Sequence, residues 1–298
     1  MRFSFWPTPS QPYEDVLELA RHVERTGWDG IWYADHFMPN AEDTSAPWPE
    51  AWVTLSALGA QVPRLRIGTL VAGNTYRHPA VLAKMAATLD HISGGRVVLG
   101  LGSGWQENEH QQYGIPFYTV AERLKRLDEA CQVIKLLYRE TSADFDGAYY
   151  QLRGATLEPK PVQDPLPLLI GGGGEKVTLK ITAKYADEWN VWGDPDILEH
   201  KMAILDRHCE DLGRDPKSIK RTAVALLFLS EDQNYLKKMR ESAIAMPHLI
   251  GTAAEIRDQV ARFESLGVDE LIVPDFTLGG MAQKIATLDH FITDVAGR

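Results

Sequence analysis

The chain has 298 residues, of which 44% are hydrophobic and 24% are charged, and these fractions are close to those of an average globular protein. Its formal net charge is −10, and no cluster of Lys and Arg residues offers a face for nucleic acid. The composition therefore excludes a disordered chain and argues against a nucleic-acid partner.

The N-terminal segment and the cysteines favour a cytoplasmic location. Residues 1–15 lack the apolar run of a signal peptide, and no stretch approaches the roughly 18 apolar residues of a membrane span. Cys131 and Cys209 lie in segments of helical periodicity without a CxxC motif, which is typical of buried thiols in a reducing compartment. We expect a cytoplasmic protein with no membrane partner.

Short apolar segments rich in β-forming residues alternate along the chain with longer segments of helical periodicity. In the first helical segment Val16, Leu19, Ala20 and Val23 share one face, and Gly27 ends the helix. The predicted strands cover residues 2–6, 30–35, 65–73, 96–104, 167–174, 188–192, 221–230 and 268–276. The predicted helices cover residues 13–27, 48–62, 78–95, 120–140, 175–187, 196–213, 253–267 and 282–296.

This alternation predicts an α/β protein with the (β/α)8 TIM-barrel fold, in a single domain over residues 1–298. An open doubly wound sheet is the alternative. Two insertions interrupt the rhythm: residues 38–50 are rich in Pro and acidic residues, and residues 141–166 predict a hairpin followed by an extended strap. Active sites of such barrels lie at the C-terminal ends of the strands, so we expect functional side chains there.

Polar side chains follow the second and third predicted strands. Asp35 and His36 end the second strand, where a His can transfer a proton near neutral pH and a carboxylate can bind ring nitrogens or hydroxyls. A local cap with surface charge is the simpler interpretation of that pair. Asn74 and His78 flank the turn after the third strand, and His78, directly before Pro79, is expected to serve the start of a helix.

The fourth predicted strand ends in alternating glycines, Gly100, Gly102 and Gly104. The spacing is G-x-G-x-G and not the dinucleotide-binding G-x-G-x-x-G, so we expect a backbone of low bulk that admits a flat ligand. The polar residues Glu107, Asn108 and Glu109 follow at the mouth. Glu107 and His110 have the spacing of a metal-binding pair, but no further ligands stand beside them, and we expect no metal.

Four consecutive glycines, Gly171, Gly172, Gly173 and Gly174, stand between the fifth strand and the next helix. Free backbone amides at the start of a helix bind anions, and Lys176, which follows Glu175, adds positive charge. The GK[ST] signature of a Walker loop is missing. The segment therefore predicts an anion site, with a tight turn that binds no ligand as the alternative.

Four segments together resemble the luciferase-like flavin and deazaflavin oxidoreductase family, in particular its branch that uses coenzyme F420. They are TGWDGIWYADHF, LRIGTLVAGNTYRHPAVLAKMAATLDHISGGRVVLGLGSGW, EHQQYGIPF and PLLIGGGGEKVTLKITAKYADEWN. The resemblance implies a TIM barrel, a homodimer and a cofactor ring in the barrel mouth. It also implies a cis peptide bond between Leu70 and Val71, behind that ring.

The resemblance also assigns roles to residues. Asp35 matches the carboxylate that contacts the deazaflavin, and His36 matches the His beside the face that exchanges hydride. The segment from Gly171 to Lys176 matches the site of the cofactor phosphate. We therefore predict the following cofactor-binding set: Asp35, Leu70, Val71, Asn74, Asn108, Gly171, Gly172, Gly173, Gly174, Glu175 and Lys176.

Two departures from this branch bear on the reaction. Alcohol and sugar-phosphate dehydrogenases of the branch carry a Glu and a Trp where this chain has Trp105 and Asn40. Without that Glu, we expect hydride transfer that reduces an activated double bond or a carbonyl of a small organic substrate, with His36 and either Glu107 or Glu109 as catalytic residues. The alternatives are an FMN-dependent monooxygenase served by a flavin reductase, and a flavin-binding barrel without activity.

Overall fold

The computed structural model describes residues 1–298 and confirms the TIM barrel. Parallel strands in the spatial order β3, β2, β1, β13, β10, β9, β8, β5 close into a barrel, because β5 also pairs with β3. The strands are β1 Arg2–Trp6, β2 Gly30–Tyr33, β3 Arg66–Thr69, β4 Ala72–Gly73, β5 Val97–Gly102, β6 Ala143–Asp146, β7 Gln151–Ala155, β8 Leu168–Gly171, β9 Glu188–Trp192, β10 Lys220–Val224, β11 Leu226–Leu229, β12 His248–Gly251 and β13 Glu270–Pro274.

Helices pack around the barrel, each with an apolar face turned inward, as for Val16, Leu19, Ala20 and Val23 of the first helix. None of them is long and apolar enough to cross a membrane. The helices are α1 Tyr13–Arg25, α2 Ala51–Gln61, α3 Pro79–Ser93, α4 Glu107–Tyr113, α5 Val120–Arg139, α6 Thr178–Tyr185, α7 Pro195–Asp211, α8 Gln233–Glu241, α9 Ala253–Ser265 and α10 Met281–His290.

The third barrel strand is interrupted by a bulge. Segment β3 pairs with β2 and β5, residues Leu70 and Val71 leave the strand, and β4 then rejoins β5 through Ala72 and Leu101. The Leu70–Val71 peptide bond is cis, as the resemblance implies. The bulge brings the Val71 side chain to the C-terminal end of the barrel.

The seventh predicted strand, residues 221–230, is wrong in its second half. Only β10 belongs to the barrel; β11 pairs in parallel with β12 in a separate two-stranded sheet. The prediction missed β12 and α8 as well. The whole segment is buried, from Arg221 to Leu229, so its pattern gives no sign that the chain changes sheets.

Only one of the two predicted insertions contains regular secondary structure. Strands β6 and β7 form the expected antiparallel hairpin, with Asp146 opposite Gln151. The carboxylate of Glu129 on α5 accepts hydrogen bonds from the amides of Ala148, Tyr149 and Tyr150 and so fixes the turn. Residues 38–50 form neither helix nor strand.

A charged network closes the N-terminal end of the barrel. Glu270, which is fully buried, accepts hydrogen bonds from Arg2 Nε at 3.0 Å, Arg66 Nη1 at 2.6 Å and Trp32 Nε1 at 2.8 Å. Arg66 also donates to Glu188 at 2.6 Å. These side chains fill the floor of the barrel, and a large cavity opens at its C-terminal end.

Candidate active site

A cavity of 750 Å³ occupies the C-terminal mouth of the barrel. It rests on buried apolar side chains of the barrel interior, among them Leu70 and Ala34. Its lining comes from residues that follow β1, β2, β3, β5, β8, β9 and β13, as expected for this fold.

His36 lies at the edge of this cavity and is held from behind by Glu109. The Nδ1 atom of His36 is 2.8 Å from Glu109 Oε1, and Glu109 Oε2 accepts the amide of Phe37 at 2.8 Å. The hydroxyl of Tyr76 donates to the same Oε1, and burial followed by this hydrogen bond raises the pKa of Tyr76 far above its usual range. Glu109 thus accepts a hydrogen bond from Nδ1–H of His36. The other ring nitrogen, Nε2, is left for chemistry in the cavity.

Asp35 also lines the cavity, and its carboxylate is bound by Arg77. Arg77 Nη1 and Nη2 lie 2.7 and 3.1 Å from the two Asp35 oxygens, and Nη2 also contacts Glu50 at 2.5 Å. Burial raises the pKa of Asp35, and the charge of Arg77 opposes this effect. The negative charge of Asp35 is therefore largely neutralised from outside the cavity.

One side of the cavity, here called the glycine sector, consists of Val71, Gly102, Gly171, Gly172 and Gly173. A Cβ atom at Gly102 or Gly171 would come 2.8 Å from a methyl group of Val71. These two glycines are thus required by the bulge itself, a reason that the sequence pattern does not reveal. The result is a wall of low bulk, against which a flat ligand fits.

The glycine run does not lead directly into a helix as predicted, because α6 begins only at Thr178. The backbone amides of Gly173, Gly174, Glu175, Lys176 and Val177 donate no hydrogen bond within the chain. The carboxylate of Glu175 pairs with Lys201 Nζ at 2.5 Å and with His200 Nε2 at 3.1 Å. These free amides retain the capacity to bind an anion.

The opposite side of the cavity is aromatic. The ring of Trp6 lies 5.7 Å from that of Trp192 and 5.2 Å from that of Phe276, measured between centroids. Met246, from the loop before β12, also lines the cavity. We call Trp6, Trp192, Phe276 and Met246 the aromatic wall.

Several predicted site residues lie in the cavity lining: Asp35, His36, Leu70, Val71, Gly171, Gly172 and Gly173. The remaining members of the predicted cofactor-binding set do not line the cavity. Gly174, Glu175 and Lys176 lie beyond it, and Lys176 is exposed. Asn74 is buried and donates to the Tyr150 hydroxyl, whereas Asn108 donates to the carbonyl of Pro39.

The two predicted catalytic glutamates occupy different environments. Glu107 is exposed and accepts a hydrogen bond from Gln111, because the first turn of α4 points it to solvent. Glu109, two residues later, is buried behind His36 and reaches the cavity only through that His. His110 contacts Gln106 and Thr75, and no group of three or more potential ligands stands together that would hold a metal.

The sequence interpretation missed Tyr76 and Arg77, although both lie between the two residues that it weighed after the third strand, Asn74 and His78. His78 itself caps α3, where its Nδ1 accepts the amide of Ala80 at 3.2 Å, as predicted. The aromatic wall was also missed. Trp6 and Trp192 end their strands and Phe276 follows β13, so the rule that barrel sites form at strand ends would have found them.

The fold and the site define an enzyme of the luciferase-like class. The family model described as luciferase-like monooxygenase matches residues 1–248, and the chain belongs to this family. An F420-dependent glucose-6-phosphate dehydrogenase of Amycolatopsis mediterranei is 38% identical over 174 residues, or 58% of this chain and 50% of that protein. The chain thus spans about half the length of that curated relative.

Two further comparisons cover the whole chain. An uncharacterized protein of Mycobacterium bovis is 31% identical over an alignment of 322 positions that includes 100% of both chains. The solved structure of an F420-dependent secondary alcohol dehydrogenase in complex with an F420-acetone adduct matches with a TM-score of 0.85 at 21% identity, over 99% of this chain and 98% of that one. The latter likeness shows a shared fold.

Proposed function

We propose that the protein is an oxidoreductase that exchanges a hydride between coenzyme F420 and a small organic substrate, and that it acts as a reductase. The observation that carries this proposal is the position of His36, which lies on the cavity edge with Nδ1 fixed by Glu109 and Nε2 free. The relationship to an F420-dependent dehydrogenase supports the choice of cofactor.

The residues present fit a flat, phosphate-bearing cofactor. The glycine sector offers a face without side-chain bulk, and the free amides from Gly173 to Val177 offer donors to an anionic group. Two lining tryptophans, Trp6 and Trp48, keep buried indole N–H groups without an acceptor in the chain. A buried donor of this kind lowers the stability of the folded protein unless a ligand accepts its hydrogen bond.

When bound in its reduced form, F420 supplies a hydride and is itself oxidised as the substrate gains two electrons. In its doubly protonated form, with Nδ1–H bonded to Glu109, His36 would supply the accompanying proton from Nε2 to the atom bonded to the hydride acceptor. Glu109 holds the imidazole ring in the orientation for this transfer and stabilises the imidazolium. Trp105 packs edge-on against His36, with ring centroids 5.3 Å apart. The resemblance implies a carboxylate at this position in the alcohol and sugar-phosphate dehydrogenases of the branch, so the apolar ring of Trp105 supports a different substrate and a reductase role.

A fluorescence titration tests the cofactor assignment. We expect F420 to bind with a Kd below about 100 µM and FMN to bind more weakly. Consumption of reduced F420 in the presence of carbonyl and enone substrates then tests the reductase assignment. Tighter binding of FMN than of F420 would replace hydride transfer with flavin-dependent monooxygenation, and oxidation of sugar phosphates or alcohols alone would reverse the proposed direction.

A further inference from the structure

We propose that the substrate is an uncharged carbonyl compound whose ring or other apolar part packs on the aromatic wall. This inference rests on the proposed function and names the substrate class for the same site. It follows from the place of the wall in the barrel, from the charges around the cavity, and from the way in which the wall is held.

The closed sheet places Trp6 and Phe276 of the aromatic wall across the cavity from the glycine sector. Going around the barrel, β4, β5 and β8 supply the glycine sector, whereas β1 and β13 lie on the other side. Strand β9, which ends at Trp192, pairs with β8 and extends the wall toward the glycine sector. His36 follows β2, which lies between β1 and the bulged strand β3. A flat cofactor against the glycine sector would therefore leave the aromatic wall free for the substrate, with His36 beside both.

The wall exposes apolar surface that no other part of the chain covers. Phe276 is 44% exposed and Met246 40% exposed, although both line the cavity, and Trp192 is half-buried. Aromatic side chains that surround a cavity in this way bind a ring or an aliphatic segment through edge and face contacts.

The charge of the lining argues against an anionic substrate. None of the 26 lining residues is Lys or Arg, and the acidic and basic side chains of the lining are Asp35 and His36. Asp35 is already paired with Arg77 from behind. A substrate phosphate or carboxylate on the aromatic wall would lose water without gaining a counter-charge, which is strongly unfavourable.

The wall is held in place by a buried ion pair that follows β13. Asp275 accepts the Lys284 ammonium at 2.6 Å and the amide of Thr8 at 2.7 Å, and Lys284 also donates to Gln11 at 2.9 Å. These bonds connect the segment after Trp6 to the residue before Phe276. The Trp6 and Phe276 part of the wall is therefore fixed in place without a substrate, so binding there requires little further ordering of the protein.

In the proposed reaction, reduced F420 gives a hydride to the carbonyl carbon and is oxidised, and His36 gives a proton to the carbonyl oxygen, so that an alcohol is formed. The test compares the reduction of benzaldehyde and of 4-carboxybenzaldehyde by reduced F420 with the oxidation of glucose 6-phosphate by oxidised F420, using the whole chain. We expect turnover of benzaldehyde, and a KM for the carboxylated aldehyde at least about tenfold higher. Binding of both aldehydes to the protein, measured by calorimetry, should show the same order.

Two variants connect this preference to the wall. Phe276→Ala should raise the KM and the Kd for benzaldehyde about fivefold to tenfold and leave F420 affinity within about twofold. Met246→Lys should lower the KM for 4-carboxybenzaldehyde by a similar factor, because it adds the missing cation. Leu212→Ala is the matched control, since Leu212 is 45% exposed but ends α7, outside the cavity lining.

Equal turnover of the charged and uncharged aldehydes, efficient use of glucose 6-phosphate, or an unchanged KM and Kd in Phe276→Ala would overturn the inference. Failure of the proposed function is a separate result. If F420 does not bind, the assignment of the cofactor is wrong, while the benzaldehyde calorimetry on the same protein still decides whether the wall binds uncharged rings.

Discussion

Nδ1 of His36 and Oε1 of Glu109 lie 2.8 Å apart, although 72 residues separate them along the chain and only the His lines the cavity. A fully buried carboxylate that faces an imidazole nitrogen fixes both the tautomer and the orientation of the ring. Glu109 is therefore a positioning residue, and His36 is the residue that meets the substrate.

Replacement of His36 should separate proton transfer from cofactor binding. We expect His36→Ala to lower kcat by about 10²–10⁴, as for the loss of a general acid, with F420 affinity within about tenfold because the free amides lie on another side of the barrel. Steady-state kinetics and fluorescence titration measure the two effects. Full turnover in this variant would refute the role of His36.

Glu109→Gln tests the positioning role. The variant keeps the size of the side chain but replaces the carboxylate at His36 Nδ1 with a neutral amide, which can donate as well as accept a hydrogen bond. We therefore expect kcat to fall about tenfold while KM and F420 affinity stay nearly constant. Nitrogen NMR of the imidazole should show the proton on Nδ1 in the natural protein and a mixture of tautomers in the variant. Glu107→Gln is the matched control, since Glu107 is exposed on the same helix; an equal effect of both changes would contradict the model of a single supporting carboxylate.

The raised pKa of Asp35 makes a prediction about stability and pH. Burial raises this pKa above the ordinary value, so the folded protein binds the proton more tightly than the unfolded chain does. In the window just above the ordinary Asp pKa, the contribution of Asp35 to the free energy of unfolding therefore decreases as pH rises. Asp35→Asn should remove this decrease.

Urea unfolding at a series of pH values measures the effect of Asp35→Asn. Asp258→Asn serves as the control, because Asp258 is exposed on α9 and should not change the pH profile. A profile for Asp35→Asn that is parallel to that of the natural protein would mean that Arg77 compensates fully for the burial of Asp35.

Gly172 has a backbone φ of 121°, in a region that β-branched residues rarely adopt. Gly172→Val should cost about 1–3 kcal/mol of stability and weaken F420 binding at least about tenfold, because the altered loop no longer presents its free amides together. Calorimetry and fluorescence titration measure both. Gly280→Ala is a suitable control, as nothing lies within 4 Å of the added Cβ; F420 affinity that survives Gly172→Val would mean that the turn serves only the fold.

The floor of the barrel should determine stability without affecting the site. Glu270→Gln leaves Arg2 and Arg66 with Glu188 as their remaining carboxylate, and breaking such a buried network costs about 3–5 kcal/mol. Cofactor affinity should not change, because Glu270 begins β13 at the end of the barrel remote from the cavity. The exposed pair of Arg262 and Asp196 is the comparison, and Arg262→Ala should cost less than about 1 kcal/mol.

Most of the barrel could be predicted because its signals are local. Each helix shows its own apolar face, and each parallel strand forms a short apolar segment that ends in Gly or a polar residue, as at Tyr33 and Asp35. The split of the seventh strand could not be predicted, because Leu226 pairs with His248, 22 positions further along the chain, and such a pairing leaves no periodic pattern in the sequence.

The site was predicted only where a single stretch of sequence carries it. Asp35 and His36 are adjacent, and the glycines from Gly171 to Gly173 are consecutive, so both groups stand out. The pairing of Asp35 with Arg77 and the contact of Val71 with Gly171 arise from barrel closure, which sets neighbours that the chain separates widely. Glu107 and Glu109 both lie in the first turn of α4. Two positions on a helix differ by about half a turn, so one side chain faces solvent and the other faces the barrel.

Because β11 leaves the barrel, one part of the cavity lining is supported by elements outside the closed sheet. Met246 is carried by a loop whose support comes from the pairing of β11 with β12 and from α8, and none of these three elements belongs to the closed sheet. Length and side chains in residues 231–247 can therefore change without disturbing the hydrogen bonds that close the barrel. We therefore expect changes in this segment to alter the substrate range while the closed barrel and His36 stay as they are.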